Sequence, residues 1–475
     1  MPLPELMPGA KKVIFIFLIF FAYFILFYNL GKAPLDNWDE SWYGEVVKQI
    51  FKTKDPLVLY WNGEYFFDKP PLYIWFSTLS SLFFGFSEFS LRFISALSGL
   101  FIIILVLWNS YRKWGFVPSL LAFVTLTFNN IFIWRARSGN VDLLAALFIL
   151  LSYFLILSKN KNRFILLGIV FALTYLTKES LVVFPLAIFI IHEFLFARKT
   201  IKKNLLNYIK LFSVFILIPS FWLFLGFLRL GNNFIILAFH SNQRVGSVSI
   251  SQFHLDYFWY TYYSLQRRYF YAFLIGIFFC IRKITPTAFL LFTYSLGLLI
   301  PLSFAERNNN WYLVPSMPFW SLTIAYGVYK ILNFSTITKY LSIPLTVLVI
   351  ILSYRTFTVN ISPILNTFSS FHQKESGEYL RQLSKEDDVI VRLDHLYPAT
   401  VFYADRKVLS SPADSNTDRF FLSRHDLING IRKRKFRWLV GDIKEVDKFL
   451  AEYENVNIEI EKLVVNQTEA ILTIK

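Results

Sequence analysis

The chain has 475 residues, of which 55% are hydrophobic and 54 are Phe, so lipid rather than water is its main solvent and a string of ordinary soluble domains is excluded. A formal net charge of +16 does not mark a nucleic-acid partner. Residues 358–475 hold 17 Lys plus Arg against 18 Asp plus Glu, leaving 31 against 14 in the rest, and this surplus falls in short clusters between apolar runs, the positive-inside signature.

Unpaired backbone groups cannot face lipid, so long apolar runs must be helices. Residues 13–30 give about 27 Å of helix at about 1.5 Å per residue, enough to cross most of a hydrocarbon core of about 30 Å, and are read as a retained span rather than a signal peptide. Further runs at 90–109, 116–134, 141–158, 164–177, 181–196, 211–228, 269–281, 286–304, 311–332 and 340–357 predict eleven crossings. Residues 71–86 add a helix lying on or dipping into the membrane. From a cytoplasmic N-terminus, this order keeps the basic clusters inside and places 31–90 outside.

The segment 31–90 is a polar island, holding eight of the fourteen Asp and Glu found before residue 358. Trp42, Val46 and Ile50 recur at helical spacing, as do Tyr43, Val47 and Phe51, with Glu45, Lys48 and Gln49 opposite; this predicts an interfacial amphipathic helix. Asp39 and Glu40 fall in its first turn, where the helix dipole favours carboxylates. Asn62-Gly63 then signals a turn, and in Asp68-Lys69-Pro70-Pro71 the prolines keep Asp68 and Lys69 out of a helix.

Later external loops carry the remaining charges. RARSGNVD at 135–142 offers Arg135 and Arg137 as headgroup anchors and Asp142 as a helix-start acid. In Thr177-Lys178-Glu179-Ser180 the two charges are placed to pair with each other. The segment 229–268 contains His240, Arg244, His254 and Asp256 among many aromatics, without the third close ligand a zinc site needs. Glu306-Arg307-Asn308-Asn309-Asn310 leads into WYLVPSMPFW, whose Pro315 and Pro318 break or kink a helix near its outer end.

The single cysteine, Cys280, lies in an apolar run, which excludes a disulfide framework or a thiolate metal site. From about 358 the pattern changes. DDVIVRL, FRWLVGD, IEIEKLVV and AILTIK read as strands and SRHDLINGIRK and EVDKFLAEY as helices, predicting a small soluble α/β domain at 358–475 after a membrane domain at 1–357. It has no Gly-rich phosphate loop and no nucleophile elbow.

Taken together, Asp39-Glu40, Phe66-Phe67-Asp68-Lys69-Pro70-Pro71-Leu72, SGNVDLLAALF, LTKESLVVFPL, HSNQRVGSVSISQFHLDYFWYTYY and ERNNNWYLVPSMP keep the order of motifs in a known group. The chain resembles the GT-C glycosyltransferases that use polyprenyl-phosphate sugars, the group of the protein O-mannosyltransferases and lipid A aminoarabinose transferases. The resemblance covers nearly the whole membrane part. Where that family continues Asp-Glu-x-Arg-Tyr, this chain has Asp39-Glu40-Ser41-Trp42-Tyr43, so the family's arginine is absent.

The resemblance implies a polytopic α-helical membrane protein of about 11–13 transmembrane helices in the plasma (inner) membrane, with its C-terminal domain extracytoplasmic. It implies inverting transfer of a sugar, aminoarabinose, mannose or similar, from a polyprenyl phosphate to a lipid A-like, glycan or protein acceptor on the outer face. Asp39 would then be the general base and Glu40 its orienting or substrate-binding partner. Lys69, Arg244 and Arg307 would receive the donor phosphate, and Tyr43, Arg137, Asp142, Lys178, His254 and Tyr312 would bind substrate. No cofactor is obligatory, although an acidic pair near a phosphate can recruit a divalent cation. The competing classes are a transporter or flippase for lipid-linked sugars, which expects mid-membrane charges and internal repeats, and a ligase that uses Arg and His.

Overall fold

The computed structural model describes residues 8–236, 238, 253–306, 308–334, 371–412, 420–452 and 459–475, with isolated positions between 344 and 364. Packing divides the chain into two compact units, Met1–Leu30 with Phe67–Ser80 and Arg92–Asn366, and Gly31–Phe66 with Ser81–Leu91 and Thr367–Lys475. The polar island thus packs largely with the C-terminal region, a grouping that composition along the chain does not reveal.

Up to residue 230 the α-helices are α1 (Pro8–Phe27), α2 (Asp39–Thr53), α3 (Leu72–Phe84), α4 (Glu88–Trp114), α5 (Phe116–Thr127), α6 (Asn130–Ala136), α7 (Asp142–Ile156), α8 (Arg163–Thr177), α9 (Val183–Phe196) and α10 (Leu205–Leu230). Among the described residues, Gly9–Phe27, Glu88–Trp114, Glu179–Phe196 and Leu205–Leu230 are long and apolar enough to cross a membrane. Shorter apolar helices accompany them at α3, α7, α8, Tyr269–Arg282 and Pro286–Leu302. Phe20, Leu217, Phe221 and Phe224 are exposed, as side chains facing lipid should be.

The apolar run 116–134, expected as one crossing, is instead broken, with α5 and α6 meeting at 66°. Asn129 explains the break. Its side-chain oxygen accepts from the Phe132 amide at 3.0 Å, starting a new helix, while its Nδ2 donates to Ser264 Oγ at 2.9 Å; such a cap satisfies a donor that a helix start leaves open. The run 311–332 begins as a tight 3-10 turn over Asn310–Ser316 and becomes α-helical at Met317–Leu332, as Pro315 and Pro318 lead one to expect. The run 340–357 lies almost wholly outside the described residues.

Small residues allow a close helix approach in this unit. A Cβ on Gly276 would stand 2.3 Å from the Thr323 carbonyl oxygen, and one on Gly327 would stand 2.8 Å from Gly276 Cα, so Asp256–Arg282 and Met317–Leu332 touch backbone to backbone. Beside this contact Trp320 is fully buried and donates its indole N–H to Ser295 O at 2.9 Å.

In the second unit a five-stranded sheet has the order β4-β3-β5-β7-β6, with β3 (Val389–Arg392), β4 (Lys407–Ser410), β5 (Trp438–Asp442), β6 (Ile460–Val464) and β7 (Glu469–Ile474). β4 and β5 run parallel to β3, and β7 and β6 add antiparallel. Val391, Leu393, Leu427, Leu439, Val446, Phe449 and Leu472 form the core between the sheet and its helices. The strands expected from sequence are present; β4 and the helices Phe371–Leu383 and Pro398–Ala404 are additions. Arg392 is fully buried and held by Asp394 at 2.7 Å and Glu469 at 2.7 Å, which pushes its pKa up against the burial that lowers it.

Asn62 and Gly63 take positive φ, 53° and 79°, the turn that joins β1 (Tyr60–Trp61) to β2 (Glu64–Tyr65). The buried Asn62 amide then exchanges two 2.8 Å hydrogen bonds with the Val408 backbone on the edge strand β4. Helix α2 forms as expected but not as an interfacial helix with a wet polar face. Glu45 is 2% exposed because Pro398–Ala404 packs along α2 and covers the side that period alone assigns to water.

Candidate active site

The acid pair sits where α2 begins. Trp38 precedes the helix without a side-chain cap, so the first turn is tied otherwise. Glu40, 4% exposed, accepts from the Asp36 amide at 2.8 Å, and Ser41 Oγ donates to Asp36 O at 2.6 Å. The adjacent carboxylates are therefore not equivalent. Glu40 is folded back to fix the loop 36–40, whereas Asp39 is only half-buried, which makes it the better placed of the two for a proton transfer at a surface.

Trp42, standing where the family pattern has arginine, packs its ring 5.4 Å from Trp61 and 5.9 Å from Phe66. Tyr43 is buried and meets Phe66 at 6.4 Å. Position 42 is thus part of an aromatic stack, which offers no cation for a phosphate.

In the first unit, Lys69 is half-buried just ahead of Pro70-Pro71, and α3 starts at Leu72 with Trp75 N bonded to Pro71 O at 2.8 Å. The prolines do keep Asp68 and Lys69 in a fixed non-helical segment.

A second cluster in this unit is fully charged and buried. Asp142, 3% exposed at the start of α7, accepts from Arg135 Nε at 2.9 Å and Nη2 at 2.6 Å, and from Lys178 Nζ at 3.1 Å. Asn140 shapes the intervening loop, its Oδ1 accepting from the Asp142 amide at 2.9 Å and its Nδ2 donating to Arg135 O at 2.7 Å. The Arg135 guanidinium lies 5.3 Å from the rings of both Trp134 and Trp311, and Lys178 Nζ lies 5.0 Å from the ring of Tyr312. Burial depresses the Lys178 pKa, but the Asp142 carboxylate more than offsets this and holds it above the ordinary lysine value.

Two sequence expectations are corrected here. Lys178 pairs with Asp142 rather than with Glu179, because the break after α8 turns it toward the α6–α7 loop. Arg135 and Arg137 are buried and are not headgroup anchors. Arg137 Nη1 donates to Ile25 O at 2.7 Å and Leu26 O at 3.2 Å, serving the open carbonyls at the end of α1.

His254 is tied to the segment that follows Ser303, its amide to Ser303 O at 3.0 Å and its Nε2 within 3.1 Å of Ala305 O. Asn308 donates to Asp256, and the Asn309 amide to Tyr257 Oη at 3.3 Å. Arg244 and Arg307 lie outside the described residues. Arg135 is the residue whose weight sequence reasoning missed; its signal was an arginine and an aspartate flanking a Ser-Gly-Asn turn. Among the described residues no three His, Cys, Asp or Glu are grouped to hold a metal ion.

Residues 68–223 match the profile of a family described as dolichyl-phosphate-mannose-protein mannosyltransferase. Over 94 residues the chain is 33% identical to the undecaprenyl phosphate-alpha-4-amino-4-deoxy-L-arabinose arabinosyl transferase of Aeromonas salmonicida, 19% of this chain and 17% of that protein. Over 231 residues it is 31% identical to an uncharacterized protein of Aquifex aeolicus, 48% of this chain and 52% of the other. ArnT from Cupriavidus metallidurans in the apo state superposes with a TM-score of 0.75 over 98% of both chains, at 13% identity. The fold is that of this ArnT.

The crystal structure of that ArnT bound to undecaprenyl phosphate gives the same TM-score, 0.75, with 13% identity over 97% of this chain and 98% of the other. The oligosaccharyltransferase of Archaeoglobus fulgidus gives 0.53 at 12% identity, over 91% of this chain and 69% of its own. In sequence the chain spans 52% of the length of that Aquifex aeolicus protein and 26% of a second uncharacterized protein of the same organism, to which it is 35% identical over 132 residues. With an ArnT-type fold and its apolar helices, the chain is a multi-pass membrane protein.

Proposed function

We propose that the protein transfers a sugar from a polyprenyl-phosphate donor to a hydroxyl or phosphate acceptor. The reading is supported by a GT-C fold matched along almost the entire chain, and the observation that carries it is the unequal acid pair at the start of α2, with Glu40 anchored and Asp39 half-buried.

In the proposed step Asp39 accepts the acceptor's hydroxyl proton as the acceptor oxygen bonds to the anomeric carbon. The bond from that carbon to the phosphate oxygen breaks, and the lipid phosphate leaves with the electron pair, inverting the centre. Glu40 holds Asp39 in place. If the acceptor is an already ionised phosphate, Asp39 positions it instead.

Lys69, Arg244 and Arg307 meet the charge that grows on the leaving phosphate. Tyr43, Asp142, Lys178, His254 and Tyr312 complete the substrate-binding set, with Asp142 acting through the cations it neutralises; Arg137 belongs with it through the end of α1. The acceptor is a lipid A-like, glycan or protein group on the outer face of the plasma (inner) membrane. The N-terminus lies in the cytoplasm and the C-terminal domain outside.

The test is incubation of purified full-length protein with a panel of polyprenyl-phosphate sugars and candidate acceptors, read by mass spectrometry. Asp39→Asn should abolish transfer while leaving thermal unfolding unchanged; normal turnover by that variant would remove Asp39 as the base. Lys69→Ala should weaken donor affinity far more than stability, and unchanged affinity would leave Lys69 a turn residue.

A further inference from the structure

Beyond its acidic first turn, α2 carries Glu45, Lys48 and Lys52, for which the chemistry above has no use. Glu45 is 2% exposed and the Lys48 side chain 14%, and charges so enclosed are costly unless paired. Glu45 is paired within α2, accepting from Gln49 Nε2 at 2.6 Å and standing beside Lys48, whereas the partners of Lys48 and Lys52 outside α2 come from one place in the same unit, the end of the helix Pro398–Ala404.

Lys48 Nζ donates to the Phe402 carbonyl and lies 4.1 Å from the centre of the Phe402 ring. It also stands 3.4 Å from Glu45 Oε2 and 3.6 Å from Asp405 Oδ1. Lys52 reaches the same Asp405 oxygen at 2.6 Å. Asp405 ends its helix in the left-handed region, φ 54°, and this turn presents its carboxylate to α2. An ammonium on a last-turn carbonyl also meets the negative end of the helix dipole.

The contact is close as well as charged. A Cβ on Gly44 would lie 2.9 Å from Leu35 Cδ1 and 3.1 Å from Phe402 Cε2. Just ahead of the 36–40 loop, the Leu35 amide donates to Tyr403 Oη at 2.7 Å. The C-terminal region therefore grips the chain on both sides of Asp39.

We propose that Lys48 is a positioning residue for sugar transfer. By fastening α2 to Phe402 and Asp405 it sets where Asp39 stands, and this gives the C-terminal α/β region its part in the reaction. The inference rests on Asp39 being the base, so the test pairs a catalytic measurement with one that needs no catalysis.

In the full-length protein, Lys48→Met should raise hydrogen–deuterium exchange across residues 36–47 by about tenfold or more. It should also lower kcat by about tenfold to a hundredfold, the scale of a displaced catalytic group, with the donor KM unchanged. Lys48→Arg should recover most of both, and Lys52→Ala, at a side chain 47% exposed, should change neither. Asp405→Asn, nearly isosteric, carries the test if Lys48→Met fails to fold. Unchanged exchange in residues 36–47 overturns the grip, and raised exchange with undiminished kcat overturns its role in transfer. If the wild-type protein transfers none of the sugars offered, the functional reading and with it Lys48's part in transfer fall, while the exchange data still decide the grip.

Discussion

Replacing Asp142 by asparagine keeps the volume of the side chain but removes the charge that balances Arg135 and Lys178. Three hydrogen bonds of 2.6, 2.9 and 3.1 Å converge on this carboxylate, and the Arg135, Lys178 and Asp142 side chains are 6%, 19% and 4% exposed. Breaking a buried ion pair by removing one partner costs about 3–5 kcal/mol, and two stranded cations place this site at the upper end. Lys178→Met should cost less, since Arg135 still neutralises Asp142. The double variant should recover about 1–3 kcal/mol against the sum of the singles, as for residues in one network. Denaturant unfolding of the full-length protein in detergent micelles, followed by tryptophan fluorescence, measures all three. A loss under about 1 kcal/mol for Asp142→Asn, or additivity within about 0.5 kcal/mol, would refute the reasoning.

Gly276→Ala should destabilise by about 1–3 kcal/mol, the usual range for overpacking, because the new Cβ meets the Thr323 carbonyl at 2.3 Å; thermal unfolding in micelles reads this, and an unchanged midpoint would mean that the helices can part freely. In the unit containing α2, burial raises the Asp405 pKa but the Lys48 and Lys52 ammonium groups hold it below its ordinary value. A lowered folded-state pKa stabilises above the unfolded value of about 3.9 and is lost as pH falls through the folded one, so protection of 36–47, taken relative to the intrinsic exchange rate at each pH, should fall on acidification below about pH 4, and less so in Asp405→Asn. Glu45 works in the opposite direction. Burial raises its pKa against Lys48, so it disfavours folding as pH rises through that value, and Glu45→Gln should compare better with wild type at pH 7 than at low pH.

Trp42 shows where a motif and its setting part company. As a departure from the family pattern it was visible in the sequence, but its use was not: the ring completes a stack with Trp61 and Phe66, and Phe66 is folded back beside Trp61 by the Asn62-Gly63 turn, its amide bonded to Leu59 O at 2.8 Å. The break at Asn129 was equally hidden. Its cap competes with continuation of the helix, and the contact with Ser264, 135 positions away, decides in favour of the break.

The sequence by itself determined the membrane character, the strands of the C-terminal sheet and the place of Asp39 and Glu40 at a helix start. Each depends on hydrophobic period, charge spacing or turn chemistry, which act over a few residues. Only the tertiary structure decided that Lys178 and Arg135 share Asp142, that Arg137 serves the end of α1, and that Lys48 fastens α2 to a helix more than three hundred residues further on. A buried charge takes whichever partner the fold brings within about 4 Å, and nothing in local spacing encodes which one that is.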